Sequence, residues 1–223
     1  MSFIPVTQPL LPEFMDTMLG LGFYRMRQSM FTTQFTYTDD NNLIEVLWTR
    51  IRLSDYRPGR RYKALAKRCS RFEITLHKAA ITDEIEALYG RYAASMDFDT
   101  PKTVKEFLIG EGEADFFPGR MWLVRDKVNL IAVGYFDEGL SSAAGILNFY
   151  DPGYHKFSLS KWLYFESVRY AAETGKRYFY PGYIAIGFTK FDYKLEAGLK
   201  HIQVWEPDAT IWIPYAASMH APF

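Results

Sequence analysis

The stretch SLSKWLYFESVRYAAETGKRYFYPGY, residues 158–183, decides the fold because it joins a long amphipathic helix directly to a strand. Apolar and aromatic side chains recur at helical spacing and Gly175 supplies a common helix stop, so the pattern predicts a helix over 159–174. The alternating aromatic residues that follow predict a strand over 177–183. A long helix leading straight into a strand is typical of domains in which helices cover a sheet.

Working outward, the flanking sequence predicts further strands and helices on both sides of this unit. The turn sequences DKVN and DEG separate three strands before it. The resulting order of elements resembles that of GNAT-type acyltransferases, so we expect an α+β fold with a GNAT-like mixed sheet and flanking helices. The predicted elements are a strand at 71–78, helices at 83–96 and 102–109, strands at 121–126, 128–136 and 140–150, a helix at 188–197 and a strand at 200–206.

The N-terminal residues predict a smaller, separate unit. A short helix ends at Gly20 and Gly22, and two aromatic and β-branched segments, 23–38 and 42–53, flank the turn cluster DDNN and so predict a long hairpin. The predicted organisation is an N-terminal α/β-hairpin subdomain over 1–70, a GNAT-like domain over 71–206 and a tail over 207–223.

Charge is balanced over the whole chain but not along it. The sequence has 26 basic and 26 acidic residues, yet residues 50–71 carry a net charge of +8 and all other residues sum to −8. Such a segment can bind phosphates, and the alternative is a solvated helix face that pairs with the acidic remainder. The candidate phosphate-binding residues are Arg57, Arg60, Arg61, Lys67 and Arg68.

Composition excludes several classes of protein. Apolar residues make up 48% of the chain, which is typical of a globular protein, and the single cysteine, Cys69, leaves no internal disulfide and no thiolate metal site. No apolar run is long enough to span a membrane and no leader is recognisable, so we expect a cytoplasmic protein without membrane contact. The four histidines show no spacing typical of a metal site or a catalytic dyad, and no P-loop or nucleophile elbow occurs.

Two stretches are candidates for chemistry. FYDPGYHKFSLS, residues 149–160, enters the long helix without the R/Q-x-x-G-x-G/A turn of coenzyme A users, and Asp151 would repel a pyrophosphate, so coenzyme A is not expected. Ser158 is here either a ligand contact or a helix cap. RYFYPGYIAIGFTKFDYKLEAG, residues 177–198, places tyrosines beside Lys190 and Lys194, which would share one face of an α-helix; the alternative is that the tyrosines are ordinary half-buried sheet residues.

The chain resembles the arginyl-tRNA-protein transferases and their bacterial leucyl-transferring relatives. YRPGRRYKALAKRC at 56–69 is similar to the family's F-R-P-S-R-S-Q-R-R-x-x-K-R-N, and SLSKWL to its S-L-G motif. YFYPGY resembles Y-x-Y-L-G-Y, and KFDYK resembles K-M-x-Y-K. The family's C-x-x-C cluster is replaced by TTQFTYTDDNN at 32–42, so no metal or iron–sulfur group and no other cofactor is expected.

The resemblance implies transfer of arginine or leucine from aminoacyl-tRNA to the N-terminal α-amine of a protein that starts with Asp or Glu, which marks that protein for N-end rule degradation. An aminoacyl ester is already activated, so the site must position the reactants, accept a proton and stabilise an oxyanion. On this basis Asp151 is the expected base or amine-holding carboxylate, and Tyr180 and Tyr183 orient the acceptor or the terminal adenosine. Further contacts to tRNA or substrate are expected from Tyr150, Ser158, Lys190, Tyr193 and Lys194.

Two other functions are compatible with the sequence. A GNAT-like acyltransferase with a different, small donor would show no salt-sensitive binding of tRNA. A non-catalytic RNA-binding or interaction module would bind tRNA in a salt-sensitive way without turnover.

Overall fold

A nine-stranded mixed sheet organises the chain. The computed structural model describes residues 1–37, 42–97 and 99–220, without the side chains of Lys190 and His220. Among the described residues, five α-helices accompany twelve strands. The helices are α1 (Pro12–Gly20), α2 (Arg60–Cys69), α3 (Asp83–Ala94), α4 (Val104–Leu108) and α5 (Leu159–Glu173), and the strands are β1 (Ser2–Pro5), β2 (Tyr24–Met26), β3 (Ser29–Thr32), β4 (Phe35–Tyr37), β5 (Leu43–Arg52), β6 (Glu73–Lys78), β7 (Gly119–Asp126), β8 (Asn129–Glu138), β9 (Ser142–Tyr150), β10 (Tyr178–Ala185), β11 (Ile202–Glu206) and β12 (Ile211–Pro214).

The large sheet has the order β12-β11-β5-β10-β9-β8-β7-β6, and β4 pairs with β5 at one side. Strands β6 to β9 form an antiparallel meander, and β10 returns beside β9 in parallel after crossing through α5. The α+β class and the GNAT-like mixed sheet with flanking helices are thereby confirmed. Strand β5 lies between β10 and β11, so the sheet uses residues from both sides of position 70. The division of the chain into units at residues 70 and 206 stays a prediction.

Strands β9 and β10 pair only briefly before they separate. Their register runs from Tyr178 opposite Ser142 to Tyr180 opposite Ala144 and stops there. The next residue of β10 is Pro181, which has no N–H to continue a ladder, and Gly182 follows in a left-handed conformation with φ of +91°. The bulge that these two residues create against β5 turns β10 away from β9 and opens a wedge between the strands.

Helices cover both faces of the sheet. On one face, α5 packs against β8 and β9 and is itself covered by α2; Phe136, Leu163 and Phe179 lie in this core and are fully buried. On the other face, α3 and α4 pack against β8 and β9 around Leu88 and Phe149. Because alternate residues of a strand point to opposite faces, two apolar cores form on one sheet, and the many aromatic residues fill them.

Buried polar groups in the α5 layer are satisfied. The Glu166 carboxylate accepts hydrogen bonds from Tyr62 at 3.1 Å, from Trp162 at 2.8 Å and from Arg169 at 2.8 Å. The Trp122 indole donates to the Ser167 hydroxyl at 3.0 Å. These bonds fix α2 and β7 to α5 and avoid the cost of unpaired polar atoms in the core.

The structure corrects several sequence-based expectations. The predicted long hairpin is broken, because an Arg27-Gln28 turn makes β2 and β3 a small hairpin that joins β1 in a separate sheet; only 35–37 pair with 43–45. Most of its DDNN turn lies outside the described residues. The segment 188–197 is a 3-10 helix over Thr189–Ala197 rather than an α-helix. The predicted tail contains β12, which pairs with β11.

No helix within the described residues is long and apolar enough to cross a membrane. The longest, α5, has 15 residues, which fall short of the roughly 20 that span the hydrocarbon core of a bilayer.

Candidate functional site

A cavity of about 590 Å³ fills the wedge between β9 and β10. Backbone of Gly145–Asn148 forms one wall and that of Pro181–Tyr183 forms the other. Beyond residues 144 and 180 neither strand has the other as a ladder partner, so backbone groups on the facing edges can meet an extended substrate. The carbonyls of Gly182 and Tyr183 are exceptions, because they accept hydrogen bonds from Thr49 and Lys194. The apolar and aromatic side chains that complete the lining are Tyr24, Met26, Phe31, Trp48, Pro101, Phe107, Tyr164, Phe191 and Tyr193.

Three residues predicted from the sequence meet in this cavity: Tyr183, Tyr193 and Lys194. The Tyr183 ring contacts Trp48 edge-on, with centroids 5.2 Å apart, and the Tyr193 ring contacts Tyr164 at 5.6 Å. Tightly packed rings hold both tyrosines in one orientation, which a binding wall requires.

Tyr180 and Tyr150 do not line the cavity. Tyr180 is 4% exposed and packs against Trp212 on the α1 side of the sheet. It is an ordinary sheet residue, as the alternative interpretation of these tyrosines expects, and it is more deeply buried than that interpretation states. Tyr150 is half-buried at the far end of β9, where its ring contacts Tyr92 at 5.8 Å. Tyr180 precedes the bulge at Pro181–Gly182 and Tyr183 follows it, and only Tyr183 reaches the cavity.

Lys194 is buried in the cavity wall. Its side chain has no carboxylate partner, since the lining contains no Asp or Glu among the described residues. Instead Nζ donates to the Tyr183 carbonyl oxygen at 2.6 Å and lies 4.7 Å from the centre of the Phe191 ring. Burial lowers the pKa of Lys194 to about 7, because a desolvated ammonium is disfavoured.

The segment that carries Lys190 and Lys194 is a 3-10 helix and not the α-helix on which the two lysines were expected to share a face. The side chain of Lys190 lies outside the described part of the chain.

Two arginines of the β2 hairpin, Arg25 and Arg27, also line the cavity, although no sequence pattern marks them as candidates. The buried Arg25 is fully occupied: it donates to Asp137 at 2.9 Å, to Asp115 at 2.8 Å and to the Leu108 carbonyl at 2.8 Å. Arg27 is exposed, has a left-handed φ of 52° and forms no side-chain hydrogen bond or ion pair within the described residues. Arg27 is therefore the cavity cation that is available to a ligand.

Asp151 lies elsewhere. Its carboxylate accepts a hydrogen bond from the Gly153 amide at 3.0 Å, at the start of a 3-10 helix over Pro152–Phe157, and pairs with Arg91 at 3.1 Å. It faces a polar depression that shares no lining residue with the cavity. Asp151 is thus held by groups of α3 and of its own turn, and the structure does not bring it together with Tyr183.

Ser158 occupies the N-cap position of α5 without acting as a hydrogen-bonding cap. Its backbone is left-handed, with φ of 54° and ψ of 48°, and its side chain accepts no bond from the first turn of the helix. Ser158 is therefore not the hydrogen-bonding helix cap that was one of the two expectations for it. The neighbouring Ser160, and not Ser158, lines the cavity.

Residues 60–69 of the basic segment form α2, and the cations of this helix are exposed. Arg61 pairs with Glu196 at 3.0 Å, and the same carboxylate accepts from Lys161 of α5 at 2.8 Å. A shallow depression beside this pair reaches Tyr193, which also lines the cavity, so the basic surface continues to the cavity wall. The other cations of this surface are exposed and have no ion-pair partner among the described residues: Arg57, Arg60, Lys67 and Arg68.

Neither a thiolate nor a metal site is apparent in the described ranges. Cys69 is fully buried and burial raises the pKa of its thiol to about 11, which makes it a core residue. No group of three His, Cys, Asp or Glu side chains there could hold a metal ion.

Comparison with known proteins adds a family. The family described as arginine-tRNA-protein transferase, C terminus, matches residues 84–203. The aspartate/glutamate leucyltransferase of Leptospira interrogans is 27% identical over 205 residues, which cover 86% of this chain and 75% of that protein. The enzyme of the same name from Helicobacter hepaticus is 27% identical over 79% of this chain and 73% of its own length. The solved structure of L-PGS from Bacillus licheniformis aligns with a TM-score of 0.47 and 13% identity over 61% of this chain and 46% of that one.

Proposed function

Because the chain belongs to the arginine-tRNA-protein transferase family, it is an aminoacyltransferase that uses charged tRNA and a protein acceptor, and we propose that it transfers leucine to proteins that begin with Asp or Glu. The observation that carries the proposal is the cavity at the strand wedge, which is apolar, contains cations and lacks a carboxylate among its described lining residues. The leucyltransferase names of the relatives from Leptospira interrogans and Helicobacter hepaticus support it.

The lining favours leucine over arginine as the transferred residue. Phe31, Phe107, Ile146 and Leu147 offer apolar surface to a branched side chain. An arginine side chain would need an acid to compensate its guanidinium once it left water, and the described lining offers Arg25, Arg27 and Lys194 instead. The exposed Arg27 suits the carboxylate of an acidic N-terminal residue.

The tRNA reaches this cavity from the surface of α2. The cations of α2 hold phosphates of the acceptor arm, and Arg61 and Lys161 mark the route along the depression that ends at Tyr193. Tyr193 and Tyr183 then flank the terminal adenosine, which stacks on aromatic rings. The esterified amino acid enters the wedge, where the edges of β9 and β10 bind its backbone atoms and those of the acceptor.

The reaction requires positioning more than activation. The α-amine of the acceptor attacks the ester carbonyl, and an amine with pKa near 8 is already partly neutral at physiological pH. The open backbone amides of the wedge supply donors to the developing oxyanion. The proposal places the reaction in the cytoplasm, where charged tRNA is found, and its product is a protein with a new N-terminal residue that marks it for N-end rule degradation.

The direct test measures transfer of radiolabelled leucine and of radiolabelled arginine from charged tRNA to peptides that start with Asp, Glu or Ala. We expect leucine to be transferred to the Asp and Glu peptides and the Ala peptide to be a poor acceptor. Transfer of arginine with little leucine would contradict the proposed donor. Salt-sensitive tRNA binding without transfer of either residue would make the protein a non-catalytic module.

Arg27 is expected to set the preference for acidic acceptors. Its guanidinium is exposed at the cavity and unpaired within the described residues, so a carboxylate of the acceptor is its natural partner. Replacing it, as Arg27→Gln, removes a charged hydrogen bond and should lower kcat/KM for Asp and Glu peptides roughly 20-fold, while leaving the poor rate with Ala peptides unchanged.

Lys127 provides a matched control for this variant. It is another exposed cation with a left-handed backbone, with φ of 58°, but it lies in the β7–β8 turn and does not line the cavity. Lys127→Gln should leave both rates unchanged. An equal loss with acidic and neutral peptides in Arg27→Gln would show that Arg27 does not read the acceptor side chain.

A further inference from the structure

We infer that Lys194 Nζ is the proton acceptor for the attacking α-amine, an assignment that rests on the proposed transferase function. Lys194 projects from the 3-10 helix into the wedge at the point where β9 and β10 separate. The carbonyl of the aminoacyl ester has to lie at this point if the donor enters along the open strand edges. A group that accepts a proton must be within hydrogen-bond reach of the nitrogen that loses it, and Lys194 is placed in that space.

The surroundings of Lys194 disfavour its charge. A buried ammonium is normally paired with a carboxylate, but here Nζ has only the Tyr183 carbonyl at 2.6 Å and the faces and edges of aromatic rings. One N–H of a neutral amine satisfies that carbonyl, and the lone pair remains free. Gly182 lies next to this amine: a Cβ at that position would be 3.4 Å from Nζ, an ordinary contact distance.

The other titratable groups around Lys194 do not take this role. Burial raises the pKa of Tyr24, Tyr164 and Tyr193, so these phenols stay protonated at neutral pH. Arg25 and Arg27 of the β2 hairpin and Tyr183 of β10 face the same wedge, and a guanidinium has no lone pair with which to accept a proton. Asp192 and Glu196, on the same 3-10 helix as Lys194, line the neighbouring depression, where Glu196 pairs with Lys161 and Arg61. On the 3-10 helix that follows, Lys200 is exposed. Burial lowers the pKa of His201, which lies close to Asp55.

The proposed step balances as follows. The acceptor nitrogen forms a bond to the ester carbonyl carbon, the carbonyl electron pair moves to oxygen, and Lys194 takes a proton from that nitrogen. When the tetrahedral intermediate collapses, the C=O bond forms again and the bond to the 3′ oxygen of tRNA breaks. Lys194 then returns the proton to the leaving oxygen, which gives an amide, a free 3′ hydroxyl and a neutral lysine.

The test compares Lys194→Met and Lys194→Arg with wild type in single-turnover transfer of leucine to a Glu peptide between pH 6 and 9. We expect both variants to be roughly 100-fold slower than wild type at pH 8, because arginine keeps a positive charge but cannot accept a proton. The ratio of the wild-type rate to the Lys194→Met rate should rise about tenfold per pH unit up to about 7 and then level off. Titration of the substrate amine cancels in this ratio.

Several results would overturn the assignment. Lys194→Arg within threefold of wild type would mean that charge, rather than proton transfer, is required. A pH-dependent loss in Asp151→Asn with an unaffected Lys194→Met would assign the base to Asp151, as expected from the sequence. Lys78→Gln, at an exposed position on the edge strand β6, controls for loss of a lysine and should be fully active.

A measurement on the unaltered protein covers the case in which the variants fold poorly. Nitrogen-15 NMR of the lysine side chains should show one lysine that titrates near pH 7, which is absent from Lys194→Met spectra. A value above 9 for Lys194 overturns the assignment. If wild type transfers neither leucine nor arginine, the proposed function fails and the assignment fails with it; if wild type is active and Lys194→Arg is equally active, only the assignment fails.

Discussion

Neutralising five exposed cations of α2 and of the turn before it will weaken tRNA binding roughly a thousandfold at low salt. Each phosphate contact adds affinity through the release of counterions, so the loss accumulates over several residues. The cations are available, because four of the five have no ion-pair partner in the described part of the chain and the fifth, Arg61, shares Glu196 with Lys161. The variant combines Arg57→Gln, Arg60→Gln, Arg61→Gln, Lys67→Gln and Arg68→Gln.

The salt dependence identifies the mechanism of this loss. Binding of wild type to tRNA should fall steeply between about 50 and 200 mM salt, and the slope of log K against log salt should decrease by about 4 in the variant, with slightly less than one unit for each contact removed. Filter binding or fluorescence anisotropy over a salt series gives both quantities. A control variant removes exposed lysines away from this surface, namely Lys78→Gln, Lys102→Gln, Lys105→Gln and Lys127→Gln. Equal losses in the two variants would contradict a specific tRNA surface on α2.

The second large effect is on stability: we expect Arg25→Met to lower the free energy of unfolding by about 3 to 5 kcal/mol. The Arg25 guanidinium is the shared partner of two carboxylates, Asp137 and Asp115, and of the Leu108 carbonyl. Methionine fills the volume but leaves those acceptors unpaired, and within the described residues no other cation pairs with the buried Asp137 carboxylate. Urea or thermal unfolding of both proteins measures the difference.

The second carboxylate supplies a check on the cause. Arg25→Met combined with Asp137→Asn removes both charges of the most buried pair, so the double variant should be more stable than Arg25→Met alone. If the double variant is as unstable as the sum of the two single variants, the loss comes from packing of the Arg25 side chain over Phe117, 4.2 Å away, and not from an unpaired charge.

This destabilisation should depend on pH. Burial raises the pKa of Asp137 to about 6, above its value in an unfolded chain, so the folded protein favours the protonated form. The stability that comes from protonation is fully present below about pH 4 and is lost as the pH rises through 6. Arg25→Met should therefore lose less stability at pH 5.5 than at pH 8.

The parts of the fold that depend on local pattern were predictable. The helix α5 and the strands on either side follow from spacing, Gly175 and the two short turns, because these features act within a few residues of each other. The antiparallel meander and the α+β class follow from the same signals. The position of β5 between β10 and β11 has no local signal, since it pairs residues more than a hundred positions apart.

The candidate site was only partly predictable for the same reason. Tyr183, Tyr193 and Lys194 were chosen through family motifs, but their environment depends on Trp48, Tyr24 and other residues from the N-terminal third. A lysine in a polar stretch such as KFDYK is normally exposed, and nothing near it in sequence indicates that β2 covers it. The cavity arginines were missed because an arginine that joins two distant carboxylates looks like any surface arginine in sequence.

The place of β5 has a consequence for how the protein is made. This strand leaves the ribosome roughly 130 residues before its neighbour β10, so its part beyond the short pairing with β4 has no strand partner while most of the chain is synthesised. Closing the sheet is a late step that joins the two ends of the molecule. A chain truncated before β10 would therefore keep an open strand edge that favours aggregation. We expect a nascent chain of this protein to depend on chaperones until its last fifth has emerged.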